Sequence, residues 1–153
     1  RKAVNFKTGM SLKLDDELRA KMEALVQNSS AQFIDLTVET LKELRESLSR
    51  AAADPSSRGE VLEQIREEAF QIKGMGGVFG YPMLTEFAKS LHDFLKELSD
   101  LDELQQEIVS IHIDTLYVVV SHKIAGSGGP LEAQLRASLK AAIDKAKPGA
   151  KIG

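Results

Sequence analysis

Three histidines, one lysine set among glycines and a few paired carboxylates are the residues of this 153-residue chain best suited to chemistry. An imidazole nitrogen can attack an electrophile, relay a proton or bind a metal. His112 and His122 stand ten residues apart on a predicted helix, which is about 1,000° of rotation, or 280° net, so they are not a chelating pair of the i, i+4 kind. His122 falls near a helix C-terminus, where it is expected to hydrogen-bond. His92 borders an apolar face beside Leu91 and Leu95; it reads either as a boundary residue or as a phosphoacceptor. The carboxylates Glu67-Glu68 and Asp100, Asp102 and Glu103 fit helix surfaces and first turns. Cysteine is absent, which excludes disulfides and thiolate metal sites. Neither metal nor cofactor is expected, and no constellation points to an enzyme.

The densest information lies between Glu67 and Pro82. The apolar positions Val61, Ile65, Ala69, Ile72, Gly76 and Phe79 keep a helical period, yet three glycines interrupt it before Gly80 and Pro82 end it. Each interior glycine costs about 1 kcal/mol relative to alanine. Gly76 shares the stripe of Ile65, Ala69 and Ile72, where a missing side chain lets a neighbouring helix come close. Gly74 and Gly77 lie on another stripe, with Glu63, Arg66, Glu67, Phe70 and Lys73. That stripe is charged except for Phe70, whose ring stands about 140–160° from Ile65 and Ile72 and is expected in solvent. A phenyl ring, a lysine and bare backbone together read as a docking surface.

The run Phe70-Gln71-Ile72-Lys73-Gly74, with Gly80 six residues later and a Leu/Phe-rich helix following, resembles the active helix of histidine-containing phosphotransfer (HPt) domains. The family motif is His-x-x-Lys-Gly with a later glycine closing the helix. The resemblance implies that Lys73 lies near a phosphoryl site, that Gly74 admits a receiver domain, and that Phe70 occupies the position of the phosphorylatable histidine. A phenyl ring has no nucleophilic nitrogen. The resemblance therefore implies an interaction module that docks on a response-regulator receiver domain or a histidine kinase without carrying phosphate. Two alternatives stay open: phosphotransfer through His92, and a structural bundle that homodimerises through the Phe70 face.

The elements that must position this stretch are all helical. A leader over 1–13 precedes a short helix from about Asp15 to Val26, with Leu18, Met22 and Leu25 or Val26 on one side, and Asn28-Ser29-Ser30 is expected to break and re-cap the chain. Residues 31–53 place Ile34, Val38, Leu41, Leu44 or Arg45, Leu48 and Ala52 on one face. The glycine-bearing helix is expected over 57–79. The next, over 82–98, carries Leu84, Phe87, Ala88, Leu91, Leu95 and Leu98, and another over 102–124 includes Leu104, Ile108, Ile111, Thr115 and Val118. The run Tyr117-Val118-Val119-Val120 is apolar nearly all round, so a second element must cover it; the helix after the 126–130 loop, with Leu131, Leu135, Leu139 and Ala142, is that cover. No strand pattern occurs. The expectation is an all-α fold, an antiparallel four-helix bundle over 31–124 with an extra short N-terminal and an extra C-terminal helix, in one domain over 14–147 with a tail over 148–153.

Composition agrees. With 42% hydrophobic and 28% charged residues the length suits one packed domain. A net charge of −3 without an extended basic patch argues against nucleic acid. No apolar run approaches the roughly 20 residues that cross a bilayer, and the first ten residues have no signal-peptide core. A cytoplasmic protein, monomeric or weakly dimeric, is expected.

Overall fold

Among the described residues there are five α-helices: α1 (Thr8–Ala53), α2 (Arg58–Gly76), α3 (Pro82–Leu95), α4 (Glu103–Ser121) and α5 (Pro130–Ala146). The structure, a computed structural model, describes residues 8–125 and 129–146. Residues 1–7 of the expected leader, the 126–128 stretch of the loop before α5 and the 148–153 tail lie outside the described residues. No strand occurs among the described residues. α1 packs on α2 and α4, α3 on α2 and α4, and α5 lies against α4. Short connections make successive helices antiparallel neighbours, so α1 to α4 close a four-helix ring around one core.

The core is built from the stripes that helical periodicity dictates. Leu41 and Leu44 of α1, Ile65 and Ala69 of α2, Leu84, Phe87, Leu91 and Leu95 of α3, and Val109, Ile113, Leu116 and Val120 of α4 are almost completely buried. Each fully buried leucine- or phenylalanine-sized side chain contributes roughly 1.5–3 kcal/mol of transfer free energy. The expected cover of the Tyr117–Val120 run is present: Leu139 of α5 is buried and Leu135 packs against the core. Tyr117 itself lies under the Arg45 guanidinium, 5.3 Å from the ring centroid. A bidentate contact from Arg136 to Glu86, at 2.6 and 3.0 Å, ties α5 to α3 as well.

Five expectations need correction. The short N-terminal helix is not separate: the helix runs unbroken through Asn28-Ser29-Ser30, and Ser30 Oγ donates to the Phe79 carbonyl at 3.3 Å rather than capping a new helix. Within α1 the buried alanine is Ala51, and Ala52 is exposed. α2 ends at Gly76 rather than near residue 79, so Phe79 leaves the α2 stripe and stacks on Phe33 of α1, with centroids 4.8 Å apart. α3 ends at Leu95 and α4 at Ser121, three residues earlier than expected in each case.

Local chemistry explains the ends. Asp54 accepts from Ser56 N–H and Ser56 Oγ, turning the chain through one 3-10 turn, Pro55–Ser57, into α2; these bonds hold its carboxyl below the usual carboxylate range. Gly80, at φ +89°, closes the exit from α2, where Tyr81 N–H reaches the Gly76 carbonyl at 2.8 Å. Only glycine adopts that φ without strain. Asp102 and Gln105 form a reciprocal capping box that starts α4.

Candidate functional site

Val61, Ile65, Ala69, Ile72 and Gly76 turn one side of α2 into the core. Phe70 is thereby rotated outward and is 57% exposed. Lys73, one turn on, holds its ammonium 5.1 Å from the Phe70 ring centroid, a cation–π contact. Across from them, α3 contributes His92, whose ring lies 5.6 Å from that of Phe70 at a 47° tilt. Phe70, Lys73 and His92 thus form one cluster across the α2–α3 seam. His92 Nδ1 is buried without a hydrogen-bond partner. Burial, followed by the positive charge of Lys73, lowers its pKa from the ordinary imidazole value, so at neutral pH the ring is neutral and one nitrogen carries a lone pair.

The glycines divide as their angles require. A Cβ on Gly76 would lie 2.7 Å from Thr85 Oγ1, 2.8 Å from Thr85 N and 2.9 Å from Leu84 Cβ, so only glycine lets α3 come this close. A Cβ on Gly74 would meet nothing within 4 Å. Gly77 is exposed just past the helix end and donates its N–H to Thr85 Oγ1 at 2.7 Å. Thr85 is the residue that sequence reasoning missed: it satisfies a backbone donor at the end of α2 while filling the notch left by Gly76. No local signal marks it, since the contact depends on how α3 packs.

The remaining residues of the predicted face do not all join the cluster. Arg66 is half-buried and spends its guanidinium on structure, donating to the carbonyls of Leu95 and Leu98 at 2.8 Å each and pairing with Glu63. Glu63 and Arg66 therefore border the cluster at the end of α3. Glu67 lies on the other side, in an open groove of about 400 Å³ between α1 and α2 lined also by Phe33, Leu36, Gln71 and Met75. Burial and then the charge of Glu67 raise the pKa of neighbouring Glu68.

His112 is wholly buried, with Nδ1 2.9 Å from the Ile108 carbonyl and Nε2 2.9 Å from Ser90 Oγ. This fits a neutral ring that donates from Nδ1 and accepts the Ser90 hydroxyl at Nε2. It is a core residue. His122 caps the end of α4, its Nδ1 3.1 Å from the Val118 carbonyl. Among the described residues, no group of three or more histidines and carboxylates is placed to hold a metal ion, and no helix is long and apolar enough to cross a membrane.

Compared with protein families, residues 28–146 match the model of the Hpt domain. The chain belongs to the Hpt domain family. Neither the curated proteins nor the solved structures give a match. The Hpt match takes in all of α2 to α5, so α5 is part of the family region rather than an addition to a 31–124 core, whereas α1 before residue 28 stays outside it. Hpt domains carry phosphoryl groups in two-component phosphorelays and interact with receiver domains and histidine kinases, and membership gives this chain a role in phosphorelay signalling.

Proposed function

We propose that this Hpt domain does not carry phosphate and acts as an interaction module, docking on a receiver domain or histidine kinase through Phe70, Lys73, Gly74 and Gly77. The observation that carries the reading is the exposed phenyl ring of Phe70, which the motif resemblance sets in the place of the family's phosphoacceptor. A phenyl ring cannot attack phosphorus. It does supply an aromatic anchor of the kind that dominates protein interfaces. The open backbone at Gly74 supports close approach by a partner, and Lys73 adds a positive charge suited to the acidic pocket of a receiver. The test is a titration against receiver domains, unphosphorylated and phosphorylated, followed by phosphohistidine analysis. Binding without histidine labelling supports the reading; labelling overturns it.

A second reading rests on His92. Its neutral ring lies in the same cluster, 5.6 Å from Phe70. In that reading an imidazole nitrogen attacks the phosphorus of a receiver's aspartyl phosphate, the bond from phosphorus to the carboxylate oxygen breaks, and the aspartate is regenerated. Acid-labile, alkali-stable phosphate on His92, lost in His92→Gln, would establish it in place of the first.

A further inference from the structure

On the other flank of α2 from Phe70, α1 and α2 run antiparallel and leave between them the groove of about 400 Å³. Its character changes along its length. At one end Leu36 of α1 and Met75 of α2 are 67% and 39% exposed, beside the buried Phe33 and Ile72 that line the groove with them. One turn along, the walls are Thr40 and Gln71. A further turn brings Glu67 and Glu68 of α2, with Glu43 of α1 near enough for its charge to act on Glu68. Leu36, Thr40 and Glu43 follow i, i+4, i+7 spacing, and Glu68, Gln71 and Met75 follow i, i+3, i+7, so both walls pass from apolar to acidic in step.

The acidic end has no cation of its own. Among the described residues, the basic side chains of these turns are committed elsewhere: Lys42 to Glu39 at 3.8 Å, Arg45 to Asp114 at 2.6 Å, Arg66 to Glu63, and Lys73 to the Phe70 ring. Burial, then the charge of Glu67, then that of Glu43 disfavour the ionised form of Glu68, and a positive charge placed among them would favour it. At the apolar end, two large side chains stand in water next to a cleft, as they do where a partner's side chain is received. One kind of occupant answers both ends. The acidic pocket that suits Lys73 does not, since three carboxylates would repel it.

We infer that the α1–α2 groove binds an amphipathic helix of another protein, which sets a large apolar side chain against Leu36 and Met75 and a lysine or arginine, seven residues away, among Glu43, Glu67 and Glu68. Seven residues of helix rise about 10.5 Å, the same step that separates Leu36 from Glu43. The long stem of the basic residue can lie along Thr40 and Gln71 while its charge reaches the carboxylates. The mode is helix-in-groove recognition, with apolar contact supplying affinity and charge fixing the register. The inference is independent of what the Phe70 cluster binds.

The probe is a synthetic helical peptide of about 20 residues with a central leucine and a lysine seven residues to either side, so that it fits in both directions. A control peptide carries glutamate in place of both lysines. Titrated into the 153-residue chain, the lysine peptide should shift the methyl resonances of Leu36 and Met75 and leave the Phe70 ring resonances in place. The glutamate peptide should bind at least roughly tenfold more weakly. Glu67→Lys combined with Glu68→Lys should reverse that preference, and Leu36→Gln should weaken the lysine peptide, with melting temperatures little changed because none of the three side chains is buried. Equal affinity for the two peptides, shifts confined to another face, or no shift up to about millimolar peptide overturns the inference. So does a concentration-dependent doubling of mass that Leu36→Gln abolishes, which gives the groove to a second copy. A receiver domain that shifts the same methyl groups as strongly in the double lysine variant as in the wild type would give the groove to the receiver and overturn it as well.

Discussion

Gly76 and Gly74 stand two residues apart on α2 and meet opposite surroundings. Beyond Gly76 the Thr85 backbone and Leu84 Cβ are closer than any side chain allows, whereas beyond Gly74 there is open space for 4 Å. The absent side chain serves helix packing at one position and exposes backbone to the outside at the other. Sequence alone shows two glycines of equal intrinsic cost. What separates them is rotation about the helix axis, and the two faces should fail in different ways when altered.

The largest effect is expected at Gly76. Gly76→Leu forces α2 and α3 apart and should cost about 3 kcal/mol or more, seen as a fall in Tm of roughly 10 °C. A variant that melts like the wild type would erase the contrast between the faces. Next is Phe70→His, which puts an imidazole beside Lys73 at the position proposed for the family's phosphoacceptor. It should gain acid-labile phosphate from a phosphorylated receiver while the wild type gains none, and a variant that binds the receiver but stays unlabelled would count against Phe70 as the phosphoacceptor position.

Gly74→Leu should leave Tm unchanged or slightly raised, since leucine improves helix propensity by up to about 1 kcal/mol. It should also weaken receiver binding at least tenfold, equivalent to about 1.4 kcal/mol. Unaltered affinity would remove Gly74 from the docking face.

The smallest effect comes from the core side, through His112. Burial lowers its pKa from 6.5, only partly offset by the Ile108 carbonyl. The unfolded chain takes up a proton near the ordinary value and the folded chain does not, so the stabilising contribution is present above pH 6.5 and is lost as pH falls toward the lower folded value. The slope can reach about 1.4 kcal/mol per pH unit for this one group. Denaturant midpoints measured from pH 7.5 to 5, an interval of about one to two units around that transition, should fall in the wild type and flatten in His112→Gln. His92 is lowered in the same direction, so the double variant should be flatter still.

Much of this was legible from residue spacing. Leu84, Phe87, Leu91 and Leu95 are buried as their period requires, and the outward rotation of Phe70 followed from its angle to Ile65 and Ile72. What spacing cannot show is how helices meet. His92 and Phe70 are 22 residues apart and touch only because α3 folds back along α2. Asn28-Ser29-Ser30 has the composition of a cap, but the Ser30 hydroxyl is satisfied by Phe79, 49 residues away, so the local preference for a break has little left to gain. Ala51 rather than Ala52 is buried because the buried positions of α1, Ile34, Thr37, Leu41, Leu44, Leu48 and Ala51, alternate spacings of three and four residues, a period slightly shorter than the 3.6 of a straight helix.

Arg66 has a consequence for motion. The last turn of a helix normally frays alone, because its final carbonyls have no partner within the helix. At the end of α3, the carbonyls of Leu95 and Leu98 are instead held by a guanidinium anchored on α2. Unwinding that end would break charge-assisted contacts to another helix. The scaffold under Phe70 and His92 is therefore expected to open as one cooperative unit. Amide hydrogens on both helices should exchange with solvent at a common, slow rate, and Arg66→Ala should release the end of α3 to exchange ahead of α2.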